Sequence, residues 1–171
     1  MQPFFLSPGR GERRAPGRAS LTFLSPSFTS ADMPPHENVV SFRVRYSETD
    51  QMGTFYNSRA LEWFEVGRTE LLRSIGLPYA QMEARGVLLP VIEAHVDYLG
   101  RARYDDELTM TTTGSMLGKA RVRCDVRIAR AGDAAEVARG YTVHAITDLS
   151  GKPIRPPAWL MDAFEARRNG L

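Results

Sequence analysis

The sequence predicts an α+β fold in which an antiparallel sheet packs against one long helix. Residues 57–75 carry apolar side chains at helical spacing, and apolar and polar residues alternate before and after this stretch as in half-buried strands. Short turns separate the four later alternating stretches, and strands joined by short turns pair antiparallel. One long helix beside such a sheet is expected to cover one of its faces.

The predicted elements follow one another along the chain. Phe42, Val44 and Tyr46 alternate with arginines in a first strand, and the helix then runs over residues 57–75. Gly76 and Pro78 end this helix. The remaining predicted elements are a short helical turn over residues 79–85, strands over 87–99, 108–117, 119–131 and 136–147, and a terminal helix over 158–168.

The clearest strand pattern surrounds the only cysteine of the chain. Val122, Cys124, Val126 and Ile128 fall on one face of this strand, and charged residues fall on the other. A single thiol cannot close an internal disulfide, so we expect a buried, reduced Cys124 and a cytoplasmic location.

Length and composition indicate one folded domain. The chain has 171 residues, of which 43% are hydrophobic, and we expect the domain over residues 39–171. Residues 1–38 are rich in Pro, Gly, Ser and Arg without periodicity, so we expect them to be disordered. They are either a targeting segment or an over-extended start with Met33 as the first residue. Prolines interrupt the amphipathic helix of a targeting segment, which favours the second interpretation.

Several classes of function are not indicated. The chain has no run of 18 apolar residues, so no membrane span is expected. Residues 1–31 hold four arginines against one glutamate, which accounts for the net charge of +2 and leaves no basic surface for nucleic acid. The three histidines lack metal-ligand spacing, and neither a phosphate-binding loop nor a redox cysteine pair occurs. We therefore expect no metal and no cofactor.

One acidic residue stands where the first strand becomes a loop. The stretch reads Tyr46-Ser-Glu-Thr-Asp50-Gln-Met-Gly53-Thr-Phe-Tyr56-Asn57 and leads directly into the helix. Gly53 allows a backbone turn that a residue with Cβ resists, so Asp50 is predicted to project from the mouth of a loop. An aspartate in a turn either caps its own backbone or takes part in chemistry.

Three motifs in this order resemble the hotdog-fold acyl-CoA thioesterases of the 4-hydroxybenzoyl-CoA thioesterase type, which include Tol-Pal-associated enzymes. The resemblance covers roughly residues 40 to 160 and implies a sheet wrapped around the central helix, with active sites at a dimer interface. The motifs are Arg45-Tyr46-Ser-Glu-Thr49-Asp50-Gln-Met-Gly53, Glu65-Val-Gly-Arg68-Thr-Glu70-Leu-Leu-Arg73 and Glu93-Ala-His-Val-Asp97-Tyr98-Leu-Gly-Arg101-Ala-Arg103-Tyr104-Asp105-Asp106.

The resemblance implies that Asp50 is the catalytic carboxylate. It would act either as the nucleophile on the thioester carbonyl or as the general base for water. Asn57 matches a position where the family carries histidine or asparagine, and its amide either caps the helix or takes part in catalysis. Backbone N–H groups at the start of the helix would stabilise the oxyanion.

Further residues are predicted to contact the substrate. The two arginines among them would meet the CoA phosphates, although a solvated loop face paired with Asp105 and Asp106 fits them equally. On the helix, the spacing of Glu65 and Arg68 predicts an ion pair. The predicted substrate-binding residues are Gly53, Tyr56, Ser58, Arg101 and Arg103.

The sequence thus predicts an acyl-CoA thioester hydrolase that releases a free acid and CoA and works as a homodimer or homotetramer. Short, long and aromatic acyl groups all fit. One alternative is a hotdog hydratase or dehydratase, which would need a histidine near the acid. The other is a non-catalytic scaffold dimer that binds acyl thioesters.

Overall fold

The structure, a computed structural model, describes residues 36–165. A single 3-10 turn, Tyr46–Glu48, lies between the first strand and the first helix. The strands and helices are β1 His36–Arg43, α1 Arg59–Ser74, α2 Tyr79–Ala84, β2 Val91–Tyr98, β3 Glu107–Leu117, β4 Arg121–Arg130, β5 Glu136–Ala145 and α3 Ala158–Glu165.

The strands form one antiparallel sheet of five strands in the order β1-β3-β4-β5-β2. β3, β4 and β5 are neighbours in sequence and in space, as their short turns require. β1 pairs with β3, and β2 crosses to the far side of the sheet and pairs with β5. β1 and β2 are therefore its two edges.

α1 packs against the inner face of this sheet along its whole length. The first half of the helix buries Trp63 and Phe64 among side chains of β3, β4 and β5. Its second half buries Leu71 and Leu72 in a second cluster that also includes side chains of α3. The helix lies close to β3 at Gly67, where a Cβ would collide with the Thr112 hydroxyl. The predicted α+β fold is confirmed.

The first strand differs from the prediction at both ends. It begins at His36, and residues 36–38 pair with β3 although they were expected in the N-terminal extension. The rest of that extension, residues 1–35, lies outside the described residues, as do residues 166–171. The strand ends at Arg43 and does not reach Tyr46. The chain turns because the Glu48 carboxylate accepts a hydrogen bond from the Arg45 N–H (2.7 Å).

β2 is shorter than predicted. It begins at Val91 and not at residue 87, because Pro90 has no N–H to donate to a sheet ladder. Leu88 instead forms an isolated antiparallel bridge with Thr147. The segment before β2 therefore stays beside the chain that follows β5, through the Leu88–Thr147 bridge and the hydrogen bond from the Ala145 N–H to the Pro90 carbonyl (3.1 Å), without forming a continuous ladder.

β4 follows its predicted alternation. Val122, Cys124 and Ile128 have no exposed surface. Burial raises the pKa of the Cys124 thiol to about 12, so the thiol stays protonated at neutral pH. The predicted buried cysteine is confirmed.

Gly140→Ala is expected to weaken the pairing of β5 with β2. Gly140 lies opposite Val96, and a Cβ on it would collide with the backbone carbonyl oxygen of His95. A backbone oxygen cannot rotate away, so β2 would have to shift, and overpacking of this kind costs about 1–3 kcal/mol. Urea unfolding followed by circular dichroism measures the loss.

Gly132→Ala, in the turn between β4 and β5, is the matched control. No atom lies within 4 Å of a Cβ placed there. Its free energy of unfolding should stay within about 0.5 kcal/mol of the wild type. Equal stability of the two variants would contradict the close approach at Gly140.

Candidate active site

The loop that precedes α1 forms the candidate site. Thr49 and Phe55 make an isolated antiparallel bridge that closes this loop. Inside it, the Asp50 N–H donates to the Thr54 carbonyl (2.9 Å), and the Gly53 N–H donates to the Asp50 carbonyl (3.1 Å). Gly53 has φ = 70°, a backbone conformation that favours glycine. The predicted turn is present.

Asp50 is half-buried, and its carboxylate is only partly engaged in hydrogen bonds. Its Oδ1 accepts a hydrogen bond from the Met52 N–H (2.8 Å), which is the backbone-capping arrangement common for aspartate in turns. Among the described residues, its Oδ2 has no hydrogen-bond donor. One oxygen thus holds the turn and the other is available to a substrate.

The start of α1 carries no side-chain cap. Arg59 is the first helical residue, and its N–H donates to the Tyr56 carbonyl (2.9 Å). Asn57 is exposed and its side chain makes no capping hydrogen bond, so the cap interpretation is wrong. The backbone N–H groups of Asn57 and Ser58 have no hydrogen-bond acceptor within residues 36–165. Two free donors therefore stand at the positive end of the helix dipole.

Glu48 is a residue of this site that the sequence analysis missed. Only 7% of its surface is exposed. Its Oε1 accepts a hydrogen bond from the Trp63 indole N–H (3.1 Å), and its backbone carbonyl accepts one from the Tyr56 N–H (2.8 Å). Glu48 thereby joins the two ends of the loop through its backbone and ties the loop to α1 through its side chain. An acid two residues before Asp50 and a tryptophan in the helix were the only available signals.

The segment that carries Arg101 and Arg103 lies directly beside this loop. The Phe55 N–H donates to the Ala102 carbonyl (2.8 Å), and Ala102 itself is fully buried. The two arginines flank it and are exposed. Their guanidinium groups make no ion pair with a described residue. Asp105 instead lies near Arg43 (3.9 Å), and Asp106 accepts a hydrogen bond from the Arg103 backbone N–H (2.7 Å). The alternative in which these arginines pair with Asp105 and Asp106 is therefore wrong.

Tyr98 connects the start of the helix to the β2 edge of the sheet. Its hydroxyl donates to the Asn57 carbonyl (2.8 Å), and its ring lies 6.1 Å from that of Phe55. The aromatic contact continues from Phe55 to Trp63 (5.0 Å). The candidate site therefore borders an open edge of the sheet.

A cavity of about 250 Å³ lies farther along α1, between this helix and strands β2 and β5. Arg68 lines it and makes no ion pair with Glu65, so that prediction is wrong. Its guanidinium lies 5.1 Å from the Tyr79 ring centre. His144 also lines the cavity, and its Nδ1 donates to the Leu89 carbonyl (2.9 Å). Burial lowers the pKa of His144, the hydrogen bond to Leu89 partly opposes this, and the Arg68 charge lowers the pKa further, so the imidazole is neutral at pH 7.

The described part of the chain offers no metal site and no membrane helix. No group of three or more His, Cys, Asp or Glu side chains in residues 36–165 is arranged to hold a metal ion. No helix in this range is long and apolar enough to cross a bilayer.

The sequence has relatives with names that describe thioester chemistry. Residues 44–164 match the thioesterase-like superfamily. The acyl-CoA thioesterase YbgC of Haemophilus influenzae is 30% identical over 132 residues, which cover 75% of this chain and 96% of that protein. YneP of Bacillus subtilis is 40% identical over 77 residues, which cover 45% of this chain and 56% of YneP. The chain thus spans only about half of YneP's length.

The fold has solved counterparts as well. The crystal structure of a 1,4-dihydroxy-2-naphthoyl-CoA thioesterase from Synechocystis superposes with a TM-score of 0.71 at 23% identity, covering 77% of this chain and 98% of that one. Such a likeness shows the fold alone, and it confirms the predicted wrapping of the sheet around the central helix. Because residues 44–164 match the family in sequence and the fold is that of its solved counterparts, the chain belongs to the thioesterase-like superfamily of hotdog proteins.

Proposed function

We propose that the protein hydrolyses acyl-CoA thioesters to a free carboxylic acid and CoA, with Asp50 as the catalytic residue. The observation that carries the proposal is the half-buried residue Asp50, whose carboxylate has one free oxygen and lies on a loop that is closed by a bridge and leads into α1. A carboxylate placed in this way serves thioester hydrolysis by either of two routes.

The two routes differ in whether the Asp50 carboxylate reacts with the thioester carbonyl or with water. As a nucleophile, its oxygen adds to the thioester carbonyl, CoA leaves as the thiolate, and water then hydrolyses the mixed anhydride. As a general base, it takes a proton from the water that attacks the same carbonyl. Both routes pass through a tetrahedral oxyanion. The free N–H groups of Asn57 and Ser58 at the positive end of α1 are suited to stabilise it.

The exposed arginines support a site for the phosphate groups of CoA. Arg101 and Arg103 stand on both sides of the buried Ala102, which is hydrogen-bonded to the catalytic loop. Guanidinium groups free of internal carboxylate partners are available for bidentate contacts with phosphate oxygens. The acyl group would then lie on the other side of the loop, toward α1.

We also propose that the active form is a homodimer joined at β2. This edge strand exposes apolar side chains. Its outer edge also carries a row of unpaired backbone N–H and C=O groups, which is a template for pairing with another chain. Because Tyr98 connects β2 to the Asn57 carbonyl, a partner at this edge would border the catalytic loop. Homotetramers would need a further contact, and a cytoplasmic location stays a prediction. The exposed apolar residues are Val91, Ile92 and Tyr98 in β2 and Leu99 directly after it.

The hydratase or dehydratase alternative is less well supported. Such chemistry needs a histidine beside the acid, and each described histidine is occupied elsewhere. His36 donates to the Phe164 carbonyl (2.8 Å), His144 lies in the cavity beside Arg68, and His95 contacts Asp97 (3.1 Å). The free oxygen of Asp50 argues against a scaffold without catalysis.

Asp50→Asn is expected to lower kcat for acyl-CoA hydrolysis by about 100-fold or more, since an amide is neither a competent base nor a comparable nucleophile. The fold should be kept, because the asparagine carbonyl can accept the Met52 hydrogen bond in place of Oδ1. Release of the CoA thiol from short, long and aryl acyl-CoA substrates measures the rate and ranks the acyl groups.

Asp148→Asn is the matched control, because Asp148 Oδ1 accepts the Ser150 N–H (2.9 Å) in a comparable turn after β5. This variant should keep the wild-type rate. If Asp50→Asn also turned over at the wild-type rate, Asp50 would not be the catalytic residue.

Asn57→Ala is expected to lower kcat by about tenfold or more if the amide orients water or donates to the oxyanion. Stability should change little, because the side chain makes no capping hydrogen bond. Thermal melting and steady-state kinetics on the same sample separate these effects. Full turnover in this variant would remove the Asn57 side chain from catalysis.

Replacing Arg101 and Arg103 together by glutamine is expected to raise KM for acyl-CoA by about tenfold, through the loss of charge-assisted contacts with phosphate. The matched control is the same acyl group on pantetheine, which lacks those phosphates and should show an unchanged KM. An equal rise for both thioesters would place the phosphates elsewhere.

A further inference from the structure

Arg68 is a buried cation without an anion. Only 9% of its surface is exposed, and its Nη1 is buried without a hydrogen bond. Within residues 36–165 the guanidinium makes no ion pair. It lies 5.1 Å from the Tyr79 ring centre, and burial raises the pKa of the neighbouring Cys124 thiol, which offers no anion at neutral pH. A buried charge is costly unless it is paired and hydrogen-bonded, so this arrangement is incomplete in the isolated chain.

The same cavity holds an acid that also lacks a partner. Two glutamates line it with Arg68. Glu62 is engaged by Arg59 (2.6 Å), whereas Glu65 is exposed and makes no ion pair among the described residues. Glu65 and Arg68 thus carry an unpaired carboxylate and an unpaired guanidinium on the same stretch of α1.

The cavity lies at the open edge of the sheet. Val91 and Ala94 of β2 line it together with Glu65 and Arg68, so the middle of α1 faces the first half of that edge strand across the cavity. If two copies pair through β2 about a two-fold axis, their α1 helices come to lie side by side and antiparallel. Such a contact is isologous. If one residue of the first copy contacts a second residue of the other copy, the symmetry-related contact is formed as well.

We propose that a second copy of this chain covers the cavity and that Glu65 of each protomer forms an ion pair with Arg68 of the other. The two pairs are equivalent by symmetry, and together they supply the anion that each buried guanidinium lacks. The proposal deepens the proposed dimer and rests on it, but it does not depend on the identity of the reaction.

Charge complementarity favours a second copy over an anionic substrate group as the occupant. A free anion that approached Arg68 through the cavity would pass the Glu65 carboxylate at its lining, and like charges repel. On a second copy, the same carboxylate is the group that pairs. The interface is therefore complementary to itself.

The test uses full-length variants with reversed charge and measures the dimer by sedimentation. Glu65→Arg places two arginines against each other across the interface, and Arg68→Glu places two glutamates there. Each variant alone should dimerise about 100-fold more weakly or not at all, since two close charge pairs are lost. The double variant, with both charges reversed on one chain, should recover the dimer.

The decisive sample contains both single variants, co-expressed with different affinity tags. In the mixed dimer each arginine faces a glutamate of the other chain, so tandem purification should recover a heterodimer. A pair within one helix cannot be repaired in this way, because neither chain carries both charges. Recovery of the heterodimer supports the proposal, and its absence beside a normal wild-type dimer overturns it.

Two further measurements keep the result interpretable if Arg68→Glu fails to fold alone. Glu65 is exposed, so Glu65→Arg should fold, as circular dichroism can confirm, and an unchanged dimer in this variant would overturn the proposal by itself. Glu83→Arg, a charge reversal on exposed α2, is the matched control and should leave the dimer intact.

The outcome is separable from that for the proposed reaction. Acyl-CoA hydrolysis is assayed on the wild type, whereas the ion pair is read from association alone. A dimer indifferent to both charge reversals, with a raised KM for acyl groups that end in a carboxylate, would assign Arg68 to the substrate and overturn the proposal.

Discussion

The burial of α1 in the sheet is the constraint on which the rest of the structure depends. One helix supplies side chains to both halves of the core, and its close contact with β3 requires a residue without Cβ at Gly67. Because the helix is fixed along its whole length, its first residues are fixed as well. The loop that carries Asp50 is then held between this helix and the buried Ala102. The position of the candidate site is thus a consequence of core packing.

Much of the fold could be predicted because its signals are local. The alternation around Cys124 and the apolar spacing of Phe64, Leu71 and Leu72 require only which face of an element is buried. The errors arose where one side chain overrides the pattern. Glu48 turns the chain after β1 although the alternation continues to Tyr46, and the missing N–H of Pro90 delays β2.

The candidate site was predictable in its motif but not in its contacts. Asp50 and Gly53 could be placed because a turn before a helix needs an acceptor and a residue that tolerates positive φ. The roles of Tyr98 and Glu48 depend on partners that are distant in sequence, and spacing carries no information about them. The ion pair predicted between Glu65 and Arg68 within one helix shows what residue spacing alone cannot predict. The two residues have the right separation, yet Arg68 lies under Tyr79 while Glu65 remains at the surface.

The burial of Cys124 keeps its thiol distinct from the thiol that acyl-CoA hydrolysis would release. A thiol reagent reacts with thiolate, and the only cysteine of the chain lies without exposed surface on the inner face of β4. The folded protein should therefore add no background to a colorimetric count of released CoA. The same thiol becomes reactive only when β4 leaves the core. Labelling of Cys124 would then report how often the centre of this sheet opens, in the same solution and with the same reagent.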